Sequence, residues 1–97
     1  MGTYISLVNY TEQGIGNIKD APGRLDAARE LLQNLGGELT AMYLTMGSYD
    51  LVTVAELPSD EAAASFALQM GSKGNVRTTT LKAFNEDEFR GIIASLP

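Results

Sequence analysis

The chain contains no cysteine and no histidine. Without cysteine there is no disulfide framework, no thiolate nucleophile and no cysteine-ligated zinc or iron–sulfur centre. The lack is compatible with a reducing cytoplasm, which is the expected location. Without histidine the commonest general base and the commonest metal ligand are both missing. Basic residues are scarce as well: seven Lys and Arg stand against twelve Asp and Glu, for a formal net charge of −5. Nucleic-acid binding leaves a basic stripe, and here the few cations are scattered, so no nucleic-acid partner is expected. No apolar run approaches the roughly 20 residues of a membrane-spanning helix, and no basic segment precedes an apolar stretch at the N-terminus. Neither a membrane association nor a signal peptide is expected. Acidic side chains are the conventional metal ligands that remain. Only Glu86, Asp87 and Glu88 cluster, at a helix start where negative charge is favourable anyway, so no metal is expected.

What is present suits one folded domain over residues 1–97, with an apolar fraction of 44%. A chain this short buries only roughly 65% of its extended surface. That leaves little room for an internal cavity, so a ligand pocket is expected at an edge or shared with a second subunit.

Residues 3–9 are rich in β formers and predict a strand. Alternation places Ile5 and Leu7 on one side of it and Tyr4, Ser6 and Val8 on the other. Thr11 is an N-cap candidate for a short helix over 12–19, weakened by Gly14 and Gly16. Asp20 and Pro22 restart the helix, and Leu25, Ala28, Leu32 and Leu35 recur at helical spacing until Gly36-Gly37 stops it. Strands are predicted over 38–46 and 49–57, joined as a hairpin at Gly47-Ser48. The second of these is apolar on both faces, which marks a central strand. Ser59 caps a helix whose buried stripe is Ala62, Ala63, Phe66, Ala67 and Met70. A fourth strand covers 75–84, and Asn85 with Glu88 forms a capping pair for a last short helix carrying Phe89, Ile92, Ile93 and Leu96.

The order β-α-β-β-α-β plus a C-terminal helix predicts an α+β domain of ferredoxin-like type. Its two helices cover one sheet face. Tyr4, Val8 and Leu51 are assigned to the other. A bare face of several hundred Å² is rarely left exposed by a monomer, so a homo-oligomer, a dimer or a larger even assembly, is expected.

At Gly47-Ser48-Tyr49-Asp50 the sequence resembles the GYD domain family, named for a Gly-x-Tyr-Asp run carried here by Gly47, Tyr49 and Asp50. The likeness continues through Tyr4-Ile5-Ser6-Leu7, Asn9-Tyr10-Thr11-Glu12-Gln13-Gly14 and Gly74-Asn75-Val76-Arg77-Thr78. The resemblance implies a dimeric α+β barrel, in which two ferredoxin-like subunits join open sheet faces. It implies no particular activity, since that superfamily spans cofactor-free oxygenases, isomerases, heme enzymes and amino-acid-sensing modules.

The Gly-x-Tyr-Asp run reads first as turn chemistry: Gly47 supplies an unusual backbone angle, Tyr49 packs, and Asp50 accepts backbone N–H groups. Adjacent strand residues point to opposite faces, so Tyr49 and Asp50 are poorly placed to grip one ligand atom together. Glu56 and Arg77 sit inside strand patterns and read as exposed strand charges, with a ligand-gripping pair as the sharper alternative. Tyr4, Tyr10, Tyr43 and Tyr49 read as packing aromatics with wet hydroxyls. Gly14-Ile15-Gly16-Asn17-Ile18-Lys19 lacks the third glycine of a dinucleotide fingerprint, and Gly71-Ser72-Lys73-Gly74 lacks phosphate-loop spacing. No cofactor is expected. A small-molecule ligand, if bound, is expected between two paired sheets, contacted by Ser6 and Thr53 with Tyr49 and Arg77 at the margins. Three functions are open: a ligand-binding oligomeric module, a cofactor-free enzyme, or a structural or protein-interaction subunit.

Overall fold

Alternating aromatic, hydroxyl and β-branched residues form β1 (Gly2–Tyr10), the first strand of a four-stranded antiparallel sheet in the computed structural model of Met1–Pro97. Thr11 ends the strand and caps α1 (Glu12–Gly16), its hydroxyl accepting from the Gly14 N–H at 3.1 Å. A 3₁₀ turn over Ile18–Asp20 leads into α2 (Ala21–Asn34), whose first turn holds Pro22. Asp20 occupies the cap position without a side-chain bond, and the Ala21 N–H donates back to the Ile18 carbonyl of the preceding turn. Strands β2 (Glu38–Leu44) and β3 (Leu51–Leu57) follow, then α3 (Asp60–Ser72) capped by Ser59, then β4 (Val76–Ala83). The last helix, α4 (Glu86–Ala94), starts on the reciprocal Asn85–Glu88 capping box that the sequence predicts.

The strand order β2-β3-β1-β4 is that of a ferredoxin-like domain. The doubly apolar β3 lies between β2 and β1, an interior position as expected. Register fixes the two faces: Tyr4 opposes Ala55, Ser6 opposes Thr53 and Val8 opposes Leu51, while Ile5 opposes Val54 and Leu7 opposes Val52. Tyr4, Ser6 and Val8 are buried at 5%, 9% and 6% exposure, on the face covered by α2 and α3. The face assignment expected from the sequence is therefore inverted. Ile5, Leu7, Val52, Val54 and Leu81 form the uncovered face, and Tyr4, Val8 and Leu51 lie under the helices. Both faces are apolar, so hydropathy does not distinguish them. A bulge in β2 at Thr40, which donates to the Val54 carbonyl at 3.0 Å, brings Leu39 and Met42 to the helix side despite their odd spacing.

The core is polarised toward one end of the sheet. Leu32 and Leu57, each 1% exposed, pack with Tyr4, Ala55 and Ala63, flanked by Leu35, Leu39 and Phe66. This is the end where β1 begins and β3 stops. Beyond Ala83 the chain leaves the body: every residue from Phe84 to Pro97 is exposed. The molecule accordingly measures 52 × 31 × 18 Å, with a radius of gyration of 14.6 Å, against ~12.5 Å for a compact chain of this length. No helix is long and apolar enough to cross a membrane.

Candidate functional site at the Gly-x-Tyr-Asp end of the sheet

The loop between β2 and β3 lies at the end of the sheet opposite the core cluster, beside the last residues of β1. Gly47 has φ +115°, a conformation that a side chain resists. The turn it permits lets Thr45 donate twice, its N–H to the Asp50 carbonyl at 2.8 Å and its hydroxyl to the Tyr49 carbonyl at 2.6 Å. Asp50 then joins the loop to β1. Its N–H donates to the Val8 carbonyl at 2.9 Å, and its carboxylate accepts the Tyr10 N–H at 2.9 Å. Asp50 thus extends the β1–β3 ladder and bonds to the end of β1, so its contacts run across strands and not within the turn. Tyr49 is half-buried in the loop.

Two further segments meet at this end. Thr11 donates its N–H to the Asn75 carbonyl at 3.1 Å and its hydroxyl to the Gly74 carbonyl at 2.5 Å. Gln13 donates to the Lys73 carbonyl at 3.1 Å and to the Asn75 side-chain oxygen at 3.0 Å. The approach is so close that a Cβ on Gly14 would stand 2.0 Å from the Asn75 carbonyl oxygen. The Asn9–Gly14 and Gly74–Thr78 runs are separated in sequence, yet they clasp one another and frame the same end as the Gly-x-Tyr-Asp loop.

Behind this frame α2 and α3 splay apart and leave a cavity of about 470 Å³ between themselves and the sheet. Its floor carries the hydroxyls of Ser6, Thr53, Thr78 and Thr80, and its walls are Leu25, Leu32, Met42, Phe66 and Met70. The cavity is open to solvent on one side and is formed within one subunit, at one end of the helix layer and not between paired sheets. The packed core occupies only one end of the layer, and small Ala27, Ala28 and Ala67 line the other.

At the opposite end Tyr4, Asp60 and Lys82 form a polar cluster. The Tyr4 hydroxyl donates to Asp60, Lys82 lies 3.3 Å from that hydroxyl and 3.4 Å from the carboxylate, and its ammonium stands 4.7 Å from the Tyr4 ring centre. The hydrogen bond to Asp60, then burial, raises the Tyr4 hydroxyl above its ordinary range. The hydrogen bond from Tyr4, then the Lys82 charge, lowers Asp60. Lys82 is raised, chiefly by its contact with Tyr4. A phenol held more firmly protonated is a weaker acid, so the cluster is arranged to fix β1, β4 and α3 rather than to move protons.

The four residues expected to share an inter-sheet ligand are not gathered. Ser6 and Thr53 face the helices and line the cavity, Tyr49 sits in the loop, and Arg77 is exposed on the open face opposite Asn9. Glu56 stands at the other end of that face, accepting from Thr3 at 2.7 Å, so it forms no pair with Arg77. Sequence reasoning missed Arg24, Lys73, Asp60 and Lys82. Lys82 falls two residues from Thr80 on the face that Ser6 occupies, a signal that correct face assignment would have exposed.

The sheet with one uncovered face and a splayed helix layer is a small α+β domain of ferredoxin-like type. The chain matches the GYD domain model over residues 4–93 and belongs to that family. It is 33% identical over 84 residues to a Thermus thermophilus protein named glutamine synthetase and cystathionine beta-lyase binding protein, spanning 86% of this chain and 88% of the relative. Among solved structures it resembles FFRP-DM1, with a TM-score of 0.63 at 20% identity over 87% of this chain and all of that one. It also resembles a solved protein from Thermus thermophilus, with a TM-score of 0.54 at 26% identity over 88% of this chain and 95% of that one.

Proposed function

We propose that this GYD-domain protein is a self-associating binding module that docks onto a larger enzyme through α4. The observation that carries the reading is uncovered apolar surface. Phe89, Ile92, Ile93 and Leu96 form one stripe along α4 at 44–60% exposure, with Phe84 beside it. An isolated helix shorter than ~12–15 residues is marginal in water, and α4 has nine. Such a helix persists when its stripe is covered. The accessible area of 6377 Å² exceeds by roughly 1,000 Å² the ~5,400 Å² of a compact monomer of this mass. A standard interface buries about 800 Å² per partner, so the surplus is enough for one.

In this reading the open sheet face, with Ile5, Val54 and Leu81, pairs with a second copy, and α4 meets the enzyme. The relative's name supports the second half, because it describes a protein that binds two enzymes. Turnover is the weaker reading: the cavity floor offers hydroxyls, without an acid–base pair beside them. The test uses the purified glutamine synthetase and cystathionine beta-lyase of the source organism with the full chain. Ile93→Asp is expected to keep the oligomer mass by light scattering while losing enzyme binding, and Val54→Lys to give a monomer. A parent chain that is monomeric at micromolar concentration, or that binds neither enzyme, refutes the corresponding half.

A further inference from the structure

We propose that the cavity between α2, α3 and the sheet is a binding site for a medium-chain carboxylate, its apolar body lying inside and its carboxylate held at the cationic mouth. The site is separate from the docking surface on α4, and the inference does not rest on that role. A protein interior is packed like an organic crystal and leaves few voids larger than a water molecule. Here a chain of 97 residues keeps about 470 Å³ open, inside the ~300–1,000 Å³ range of small-ligand pockets.

The lining chemistry selects the ligand. The chain has five more acidic than basic residues, yet no Asp or Glu lines the cavity, and the charged residues that do are Arg24 and Lys73. Neither forms an ion pair, since the ion pairs are Lys82–Asp60 and Arg90–Glu86. Arg24 is fixed at the mouth by donating to the carbonyls of Asn17 at 3.0 Å and Gly14 at 3.1 Å, so its charge is positioned before a ligand arrives. Lys73, the C-cap of α3, lines the cavity as well, its carbonyl joined to Gln13 beside the Gly14 that Arg24 holds. Two cations without ion-pair partners, in a cavity whose other lining is neutral and mostly apolar, complement one anionic group on an apolar body. The Ser6 and Thr80 hydroxyl oxygens stand 3.4 Å apart, a contact too long to satisfy either fully. They keep hydrogen-bonding capacity for a hydroxyl or keto substituent along the ligand. Inorganic phosphate would meet the cations and leave the walls empty, and a neutral alcohol would fill the walls and leave the cations unpaired.

The experiment titrates the full ¹⁵N-labelled chain with decanoate, decanol and inorganic phosphate, each below its aggregation limit, following amide shifts. Decanoate is expected to move the amides of Ser6, Val8, Thr53 and Thr78 and to bind about tenfold more tightly than decanol, the increment of one charge-assisted contact. Lys73→Gln changes an exposed side chain and is expected to weaken decanoate roughly threefold or more while sparing decanol. Thr53→Leu fills the floor and is expected to abolish both, with an unchanged melt showing that the fold survives. The proposal is overturned by any of three results: equal affinity for decanoate and decanol, shifts confined to open-face residues such as Ile5, Leu7 and Val54, or no shifts at millimolar decanoate. Loss of decanoate binding only in a Thr53→Leu chain that has also lost its cooperative melt is resolved by the Lys73→Gln result, which supports the site if selective and overturns it if absent.

Discussion

Replacing Asp50 by alanine removes the acceptor for the Tyr10 N–H at 2.9 Å and leaves that donor beside a half-buried strand end. A hydrogen bond to a charged group contributes about 1.5–3 kcal/mol, and partial exposure places this one near the low end. The neighbouring bonds from Thr45 and to Val8 use the Asp50 backbone, so they survive the substitution. The expected loss is therefore about 1–2 kcal/mol, or roughly 5–12 °C in Tm for a chain near 100 residues. Asp50→Asn keeps an acceptor oxygen and is expected to lose about half as much. The assay is urea and thermal unfolding followed by circular dichroism at one fixed protein concentration, since an oligomer's Tm depends on concentration. If both variants melt within a degree of the parent, Asp50 does not hold the end of β1. The carboxylate then becomes a candidate for ligand contact instead.

Gly14→Ala places a Cβ 2.0 Å from the Asn75 carbonyl oxygen, which is backbone and cannot swing aside; urea unfolding is expected to show a loss of about 1–3 kcal/mol. Leu32→Ala empties the centre of the core cluster and should cost about 2–5 kcal/mol by the same measurement. Asp60 is lowered below its ordinary 3.8, so its contribution is present above that value and lost as pH falls through the folded-state value. The stability gap between parent and Asp60→Asn is therefore expected at neutral pH and should vanish in acid. Tyr4 and Lys82 are raised, so their contribution is present below their ordinary values and lost as pH rises through the raised ones. Parent and Tyr4→Phe chains should accordingly converge in strongly alkaline solution.

The fold was legible because each element carried a local signal that tertiary packing did not override. Thr11, Ser59 and the Asn85–Glu88 pair cap where they are expected, and Gly47 sits at a positive φ that explains its place in the turn. The two-sided apolar pattern of β3 placed it inside the sheet. The faces were not legible. Period-two alternation separates Tyr4, Ser6 and Val8 from Ile5 and Leu7 without saying which set the helices cover. Both faces mix apolar and polar residues, with Ser6, Thr53 and Thr78 on the helix side and Thr3, Asn9, Arg77 and Thr79 on the open side, so hydropathy does not say which one the helices cover.

That inversion carries the argument about the site. Of the hydroxyl residues on the helix side only Ser6 is buried, and a buried polar group costs free energy without a hydrogen-bond partner. Its hydroxyl lies 3.4 Å from that of the exposed Thr80, and both line the open cavity. The more apolar set, Ile5, Leu7, Val52, Val54 and Leu81, faces outward instead. The outer face is therefore left without an apolar cover, and the inner one encloses an open cavity. Asp50, Gly47, Thr11, Gln13 and Gly14 spend their groups on backbone contacts that brace one end of the sheet. The family runs thus brace this end of the sheet through Asp50, Thr11 and Gln13 and also line the cavity beside it, through Ser6, Tyr10, Asn75, Val76 and Thr78.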